Sequence, residues 1–96
     1  MGEITPDLRL RVINPYIGGA VKRAIKKAIG SDSHSKWSIG IATPTEIQSI
    51  SYSKTWNADT WYCAESVLKH FEKLGMKVAP YTKKAISSQV YIIENK

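Results

Sequence analysis

The sequence predicts a small α+β domain, a sheet of three or four strands packed by two main helices. Two observations carry this expectation. Apolar residues recur at spacings of three and four in two segments, as on one face of a helix. In at least two other segments they alternate with small or polar residues, as along a strand. The 96 residues correspond to one domain's worth of chain, so residues 1–96 are read as a single domain. A composition of 43% hydrophobic and 23% charged residues belongs to globular domains rather than disordered chains.

Taken in order, "LRLRVIN" alternates Leu8, Leu10 and Val12 with Arg9 and Arg11, which suits a strand. A helix opened by Thr5-Pro6-Asp7 suits it equally. Asn14-Pro15 breaks the chain and offers a helix start. Ile17, Val21, Ala24, Ile25 and Ala28 then repeat at helical spacing as far as Ile29, and Gly30 stands where a left-handed cap is least costly. Gly18-Gly19 weakens the beginning, so the firm helix is expected from Ala20.

The polar loop "SDSHSK" leads to "WSIGIA", in which Trp37, Ile39 and Ile41 face one way and Ser38, Gly40 and Ala42 the other. A strand with so little side chain on one face implies that something packs very close to its backbone. Thr43-Pro44-Thr45-Glu46 reads as a helix start, with Thr43 as cap and Glu46 reaching back to the Thr43 amide. That helix must be short, because Ile50, Tyr52 and Trp56 return to alternation and predict a strand over Ile50–Asn57. Asp59-Thr60 opens the second main helix, with Asp59 read as a cap. Its apolar stripe is Ala64, Val67, Leu68, Phe71 and Leu74, and Gly75 ends it. Met76 is placed to fold back on Phe71. A loop with Pro80 and Lys83-Lys84 precedes a closing strand, "QVYIIEN".

Composition restricts the function classes. No apolar run approaches the roughly 18 residues of a membrane span, and "MGEITPD" carries no apolar stretch of signal-peptide type. A single cysteine, Cys63, leaves no internal disulfide framework and suits a reducing, cytoplasmic setting. Cys63 itself reads as a buried structural thiol. His34 and His70 lack a partner at metal-ligand spacing, so neither a metal nor a cofactor is expected. Glu65 and Glu72 read as members of surface ion pairs with neighbouring lysines.

The net charge of +6 raises the prospect of a polyanionic partner, DNA or RNA held by its phosphates. Lys22, Arg23, Lys26 and Lys27 form the clearest cluster, with pairs four apart stacked along one helix face. Such a stripe is either a solvated face or a ridge that meets phosphates and releases their counterions. Lys83 and Lys84 extend the patch if the loop lies nearby, as do Arg9 and Arg11. Trp37, Tyr52, Trp56, Trp61, Tyr62, Tyr81 and Tyr91 include possible base-stacking surfaces, although aromatics in small domains mostly fill the core. Trp61 and Tyr62, adjacent at a helix start, cannot both face inward. Trp61 is therefore kept with the lysines as a candidate contact.

The segments "WSIGIATP", "TWNADTWYCAESVLKHFEKLGMK" and "VYII" together resemble a small family of uncharacterised GIY-YIG-like proteins. Trp37, Ile39, Gly40, Ile41 and Pro44 match the first part of its pattern. Trp56, Ala58, Asp59, Ala64, Val67, Phe71, Gly75, Met76, Lys77, Val90 and Tyr91 match the second. The resemblance implies a GIY-YIG-like fold in which Gly40 lies under a surface for metal-assisted phosphodiester cleavage. It also requires an arginine after Pro44, and "TEIQSIS" has none. Leu68 stands where the metal-holding glutamate belongs. Glu65, three residues away, is displaced by about 4.5 Å. Tyr52 and Tyr91 remain as candidate general bases. The expectation is a non-catalytic nucleic-acid-binding module. The alternatives are a divergent metal-dependent endonuclease and a protein-interaction module that uses exposed aromatics.

Overall fold

A computed structural model describes residues 15–81 and 86–95. Helix α1 spans Pro15–Ile29 and, after a 3-10 turn at His34–Lys36, strand β1 spans Trp37–Ala42. A second 3-10 turn, Glu46–Ser49, precedes β2 at Lys54–Asn57. Helix α2 spans Trp61–Lys73, followed by β3 at Lys77–Val78 and β4 at Gln89–Glu94. Among the described residues the protein is thus an α+β structure with two helices and a mixed sheet. Segment 8–14, with Arg9 and Arg11, and the pair Lys83-Lys84 lie outside the described residues.

The strand order is β2-β4-β1-β3. β4 runs antiparallel to both β1 and β2, and β3 runs parallel to β1. Cross-strand pairs such as Ile39↔Ile92 and Gly40↔Tyr91 set the register. Residues paired across strands share a face, so the register sorts the whole sheet. Trp37, Ile39 and Ile41 of β1 and Val90 and Ile92 of β4 join the apolar cluster, with Trp56 and Val78 at its margin. The helices cover that face: α2 packs on β1, β3 and β4, and α1 packs on α2. Val21, Ile25 and Ile29 of α1 and Ala64, Val67, Leu68 and Phe71 of α2 complete the core.

Several boundaries differ from the sequence expectation. Helix α1 runs through Gly18-Gly19 from Pro15 rather than starting at Ala20. Two glycines cost about 1 kcal/mol each in a helix, and the packed Val21, Ile25 and Ile29 outweigh that. The expected strand Ile50–Asn57 shrinks to Lys54–Asn57. Ile50 closes the preceding 3-10 turn by donating its amide to Ile47 O at 3.3 Å, and Tyr52 is exposed. Thr60, not Asp59, caps α2, its hydroxyl accepting from the Cys63 amide at 3.2 Å. Asp59 adopts φ 73°, and its amide donates to Asn57 Oδ1 at 2.8 Å. Leu74, read as the end of the apolar stripe, is 49% exposed. Strand β3 has no counterpart in the sequence reading, since two residues are too few to show a period.

The C-terminus of α2 follows the expected chemistry closely. Gly75 has φ 110°, its amide donates to Glu72 O at 3.1 Å, and the Met76 amide donates to Phe71 O at 3.0 Å. These two bonds define a Schellman cap, and buried Met76 and Phe71 supply its apolar contact.

Candidate functional site

Helix α1 has a buried stripe and a cationic one. Val21, Ile25 and Ile29 are in the core, while Arg23, Lys26 and Lys27 are exposed and Lys22 is half-buried. The i, i+4 pairs 22/26 and 23/27 therefore run side by side along the outside of the helix. None of the four is held by a carboxylate among the described residues. Helix α2 adds to this charge. The His70 imidazole lies below its usual range because of burial first, then of the charges of Lys22, His34, Lys26 and Lys73. Lys22 and Lys26 of α1 and Lys73 of α2 thus all lie within electrostatic reach of His70.

Of the remaining sequence candidates, Lys83 and Lys84 lie outside the described residues. Trp61 begins α2, nine residues and hence about 13 Å of helix axis before His70. It is half-buried, and its ring lies 4.1 Å from that of Tyr62, centroid to centroid. Tyr62, at 52% exposure, is the outward member of the pair. His34, read as part of a polar loop, is instead half-buried with its ring 6.0 Å from that of Phe71. Phe71 also receives the edge of His70 at 4.9 Å.

The bare face of β1 has an explanation that the sequence alone did not supply. A β-carbon on Gly40 would overlap the ring and hydroxyl of Tyr91, its partner across the sheet. Tyr91 is only 4% exposed. Its hydroxyl is pushed above the ordinary phenol range by burial first and then by the negative charge of Glu46. Glu46 is placed by the capping box read from the sequence. Its Oε1 accepts from the Thr43 amide at 3.0 Å, and its own amide donates to Thr43 Oγ1 at 3.0 Å.

Tyr91 and Glu46 border an open cleft of about 260 Å³, beside Tyr81 and the apolar walls of Ile41, Ile50 and Pro80. Tyr81 donates from its hydroxyl to Glu65 Oε2 at 3.0 Å, and Glu65 is half-buried. Sequence reasoning passed over this cleft as a site. The Thr43…Glu46 spacing and the Gly40 position were its only advance signals.

No family model, curated protein or solved structure matches the chain. The reading of function therefore rests on the residues themselves. Leu68, at the position that the GIY-YIG resemblance gives to a metal-binding glutamate, is 1% exposed in the core and carries no ligand atom. Among the described residues no helix is long and apolar enough to cross a membrane.

Proposed function

We propose that this protein is a small basic nucleic-acid-binding domain, non-catalytic, on a degenerate GIY-YIG-like scaffold. The observation that carries the reading is the unneutralised row of Lys22, Arg23, Lys26 and Lys27 on the outer side of α1. Lys73 of α2 acts on the same His70 as Lys22 and Lys26 and adds a cation on that side. A ridge of flexible cations contacts phosphates without reading base edges, so binding is sequence-independent and electrostatic. The apolar Leu68 and the absence of arginine from "TEIQSIS" support the non-catalytic part.

Fluorescence anisotropy with a labelled duplex and a labelled single strand tests the binding. Four phosphate contacts correspond to a loss of roughly 10²-fold in affinity between 50 and 200 mM salt. Affinity unchanged by the double charge reversal Lys22→Glu/Lys26→Glu rules the ridge out. Incubation with supercoiled plasmid, with and without magnesium or manganese, tests the catalytic alternative. Nicking that depends on the metal would replace the binding module by a nuclease.

A further inference from the structure

The cations of the ridge are not evenly disposed. Lys22 and Lys26 from α1, Lys73 from α2 and His34 from the turn before β1 all act on one side chain, the exposed imidazole of His70. Helix α1 packs against α2, so groups from three elements come to one place at the seam between the helices. Within α1, Lys22 and Lys26 stand one turn apart on one side. Within α2, Lys73 is three residues beyond His70 and shares its side, whereas Glu72 lies about 200° around the helix from it. Among the described residues, every charge that acts on His70 is positive.

A second observation marks the same place. The His34 and His70 rings both pack on Phe71, the first stacked at 6.0 Å and the second edge-on at 4.9 Å between centroids. His34 Nε2 is buried and has no hydrogen-bond partner among the described residues. A carboxylate beside that nitrogen would satisfy it and offset the lysines as well, and no described acid takes that place. Because the nitrogen is enclosed, it is not itself a ligand contact. The groups open to a ligand are His70, Lys26, Lys73 and the outer part of Lys22.

An anion that suits several positive groups gathered at one point carries more than one charge. A phosphodiester within a strand carries one. A phosphomonoester carries close to two at neutral pH and offers three terminal oxygens. We propose that the seam beside His70 is a phosphomonoester site, in which Lys22, Lys26 and Lys73 supply charge and the His70 imidazole donates to a terminal oxygen. The proposal rests on the nucleic-acid reading and deepens it, since the monoester of a strand is its phosphorylated end. Arg23 and Lys27 are then left for the diesters that follow. A strand end and a free phosphomonoester present the same chemistry.

The test has two arms. In the first, the His70 imidazole is followed by NMR while the labelled protein is titrated with inorganic phosphate or with dimethyl phosphate, a monoanionic diester. The expected result is saturable movement of the His70 resonances with inorganic phosphate, an upward move of its titration midpoint, and little response to dimethyl phosphate. In the second, anisotropy compares one oligonucleotide with a terminal phosphate and with a terminal hydroxyl. The phosphorylated strand is expected to bind about tenfold more tightly. His70→Gln and Lys73→Gln should each lower that ratio severalfold, whereas Arg23→Gln/Lys27→Gln should weaken both strands and keep it. His70 unmoved by inorganic phosphate, or moved equally by the diester, overturns the site; salt-sensitive binding of both strands then leaves the ridge standing. With His70 moved, a ratio above one assigns the site to a strand end. A ratio near one assigns it to a free phosphomonoester, and so does failure of both strands to bind, which also removes the nucleic-acid reading. A phosphate response undiminished in both folded His70→Gln, read at the Phe71 resonances, and folded Lys73→Gln overturns the proposal.

Discussion

The ring and hydroxyl of Tyr91 occupy the space that a β-carbon on Gly40 would take. The two residues are directly paired between β4 and β1, so the missing side chain of one makes room for the large side chain of the other. Gly40→Ala is therefore an overpacking substitution in the sheet, with an expected cost of about 1–3 kcal/mol. Tyr91→Ala should remove most of that penalty. Thermal or urea unfolding of both single variants and the double variant gives the coupling, expected within about 0.5–3 kcal/mol. Simple additivity would contradict the steric account.

The Thr43–Glu46 capping box makes a second, smaller prediction. Thr43 is buried and its hydroxyl accepts from the Glu46 amide, so Thr43→Ala should cost about 1 kcal/mol in urea unfolding. Glu46→Gln keeps an acceptor for the Thr43 amide and should stay within a few tenths of a kcal/mol of the native stability.

Gly75 sits at φ 110° within the Schellman cap. Gly75→Ala forces a β-carbon into backbone geometry that L-residues disfavour, and about 1–2 kcal/mol of stability should be lost. Gly18→Ala, within α1 where no described atom outside the helix's own nearby backbone lies within 4 Å of the added carbon, should instead stabilise by up to about 1 kcal/mol. Opposite signs for two Gly→Ala changes in one melting series would separate conformation from packing.

The His70 imidazole is held below its ordinary value of 6.5 by burial and by Lys22, His34, Lys26 and Lys73. Between the folded value and 6.5 the unfolded chain binds more protons, so stability rises with pH in that window. Acidification through it should lower the urea midpoint, and His70→Gln should flatten this slope. A phosphate bound at the ridge acts in the other direction by favouring the imidazolium. Polyanion affinity should therefore increase as pH falls through the same window, and less so in His70→Gln.

On the cationic face the two edges of the stripe differ. Lys22 and Lys26 act beside the charges of α2, whereas Arg23 and Lys27 belong to the other edge. Anisotropy should register a larger loss of affinity for Lys22→Glu/Lys26→Glu than for Arg23→Glu/Lys27→Glu. Equal losses would mean that α2 contributes nothing to docking.

Local rules were enough to read the end of helix α1 at Gly30, β1, the Thr43–Glu46 box, and α2 to its glycine stop, although they put the cap of α2 at Asp59 rather than Thr60. Each of these depends on residues three to five positions apart, and such short-range chemistry is written directly in the chain. The same rules made the strand before α2 too long, because the alternation of Ile50 and Tyr52 continues past the point where a 3-10 turn takes the Ile50 amide. They missed β3 altogether, since its two residues become a strand only through pairing with Ser38 and Ile39.

The sequence by itself determined the fold class, the core faces of both helices and the row of cations opposite the core on α1. Periodicity decides these because burial of one face is common to any packing the helix adopts. Only the tertiary structure decided why Gly40 is a glycine, which of Trp61 and Tyr62 faces outward, and that Glu46, Tyr81 and Tyr91 converge on one cleft. Those relations join residues up to 51 positions apart, as Gly40 and Tyr91 are. Sheet register and chain crossing set such distances, and no local pattern in the chain encodes them.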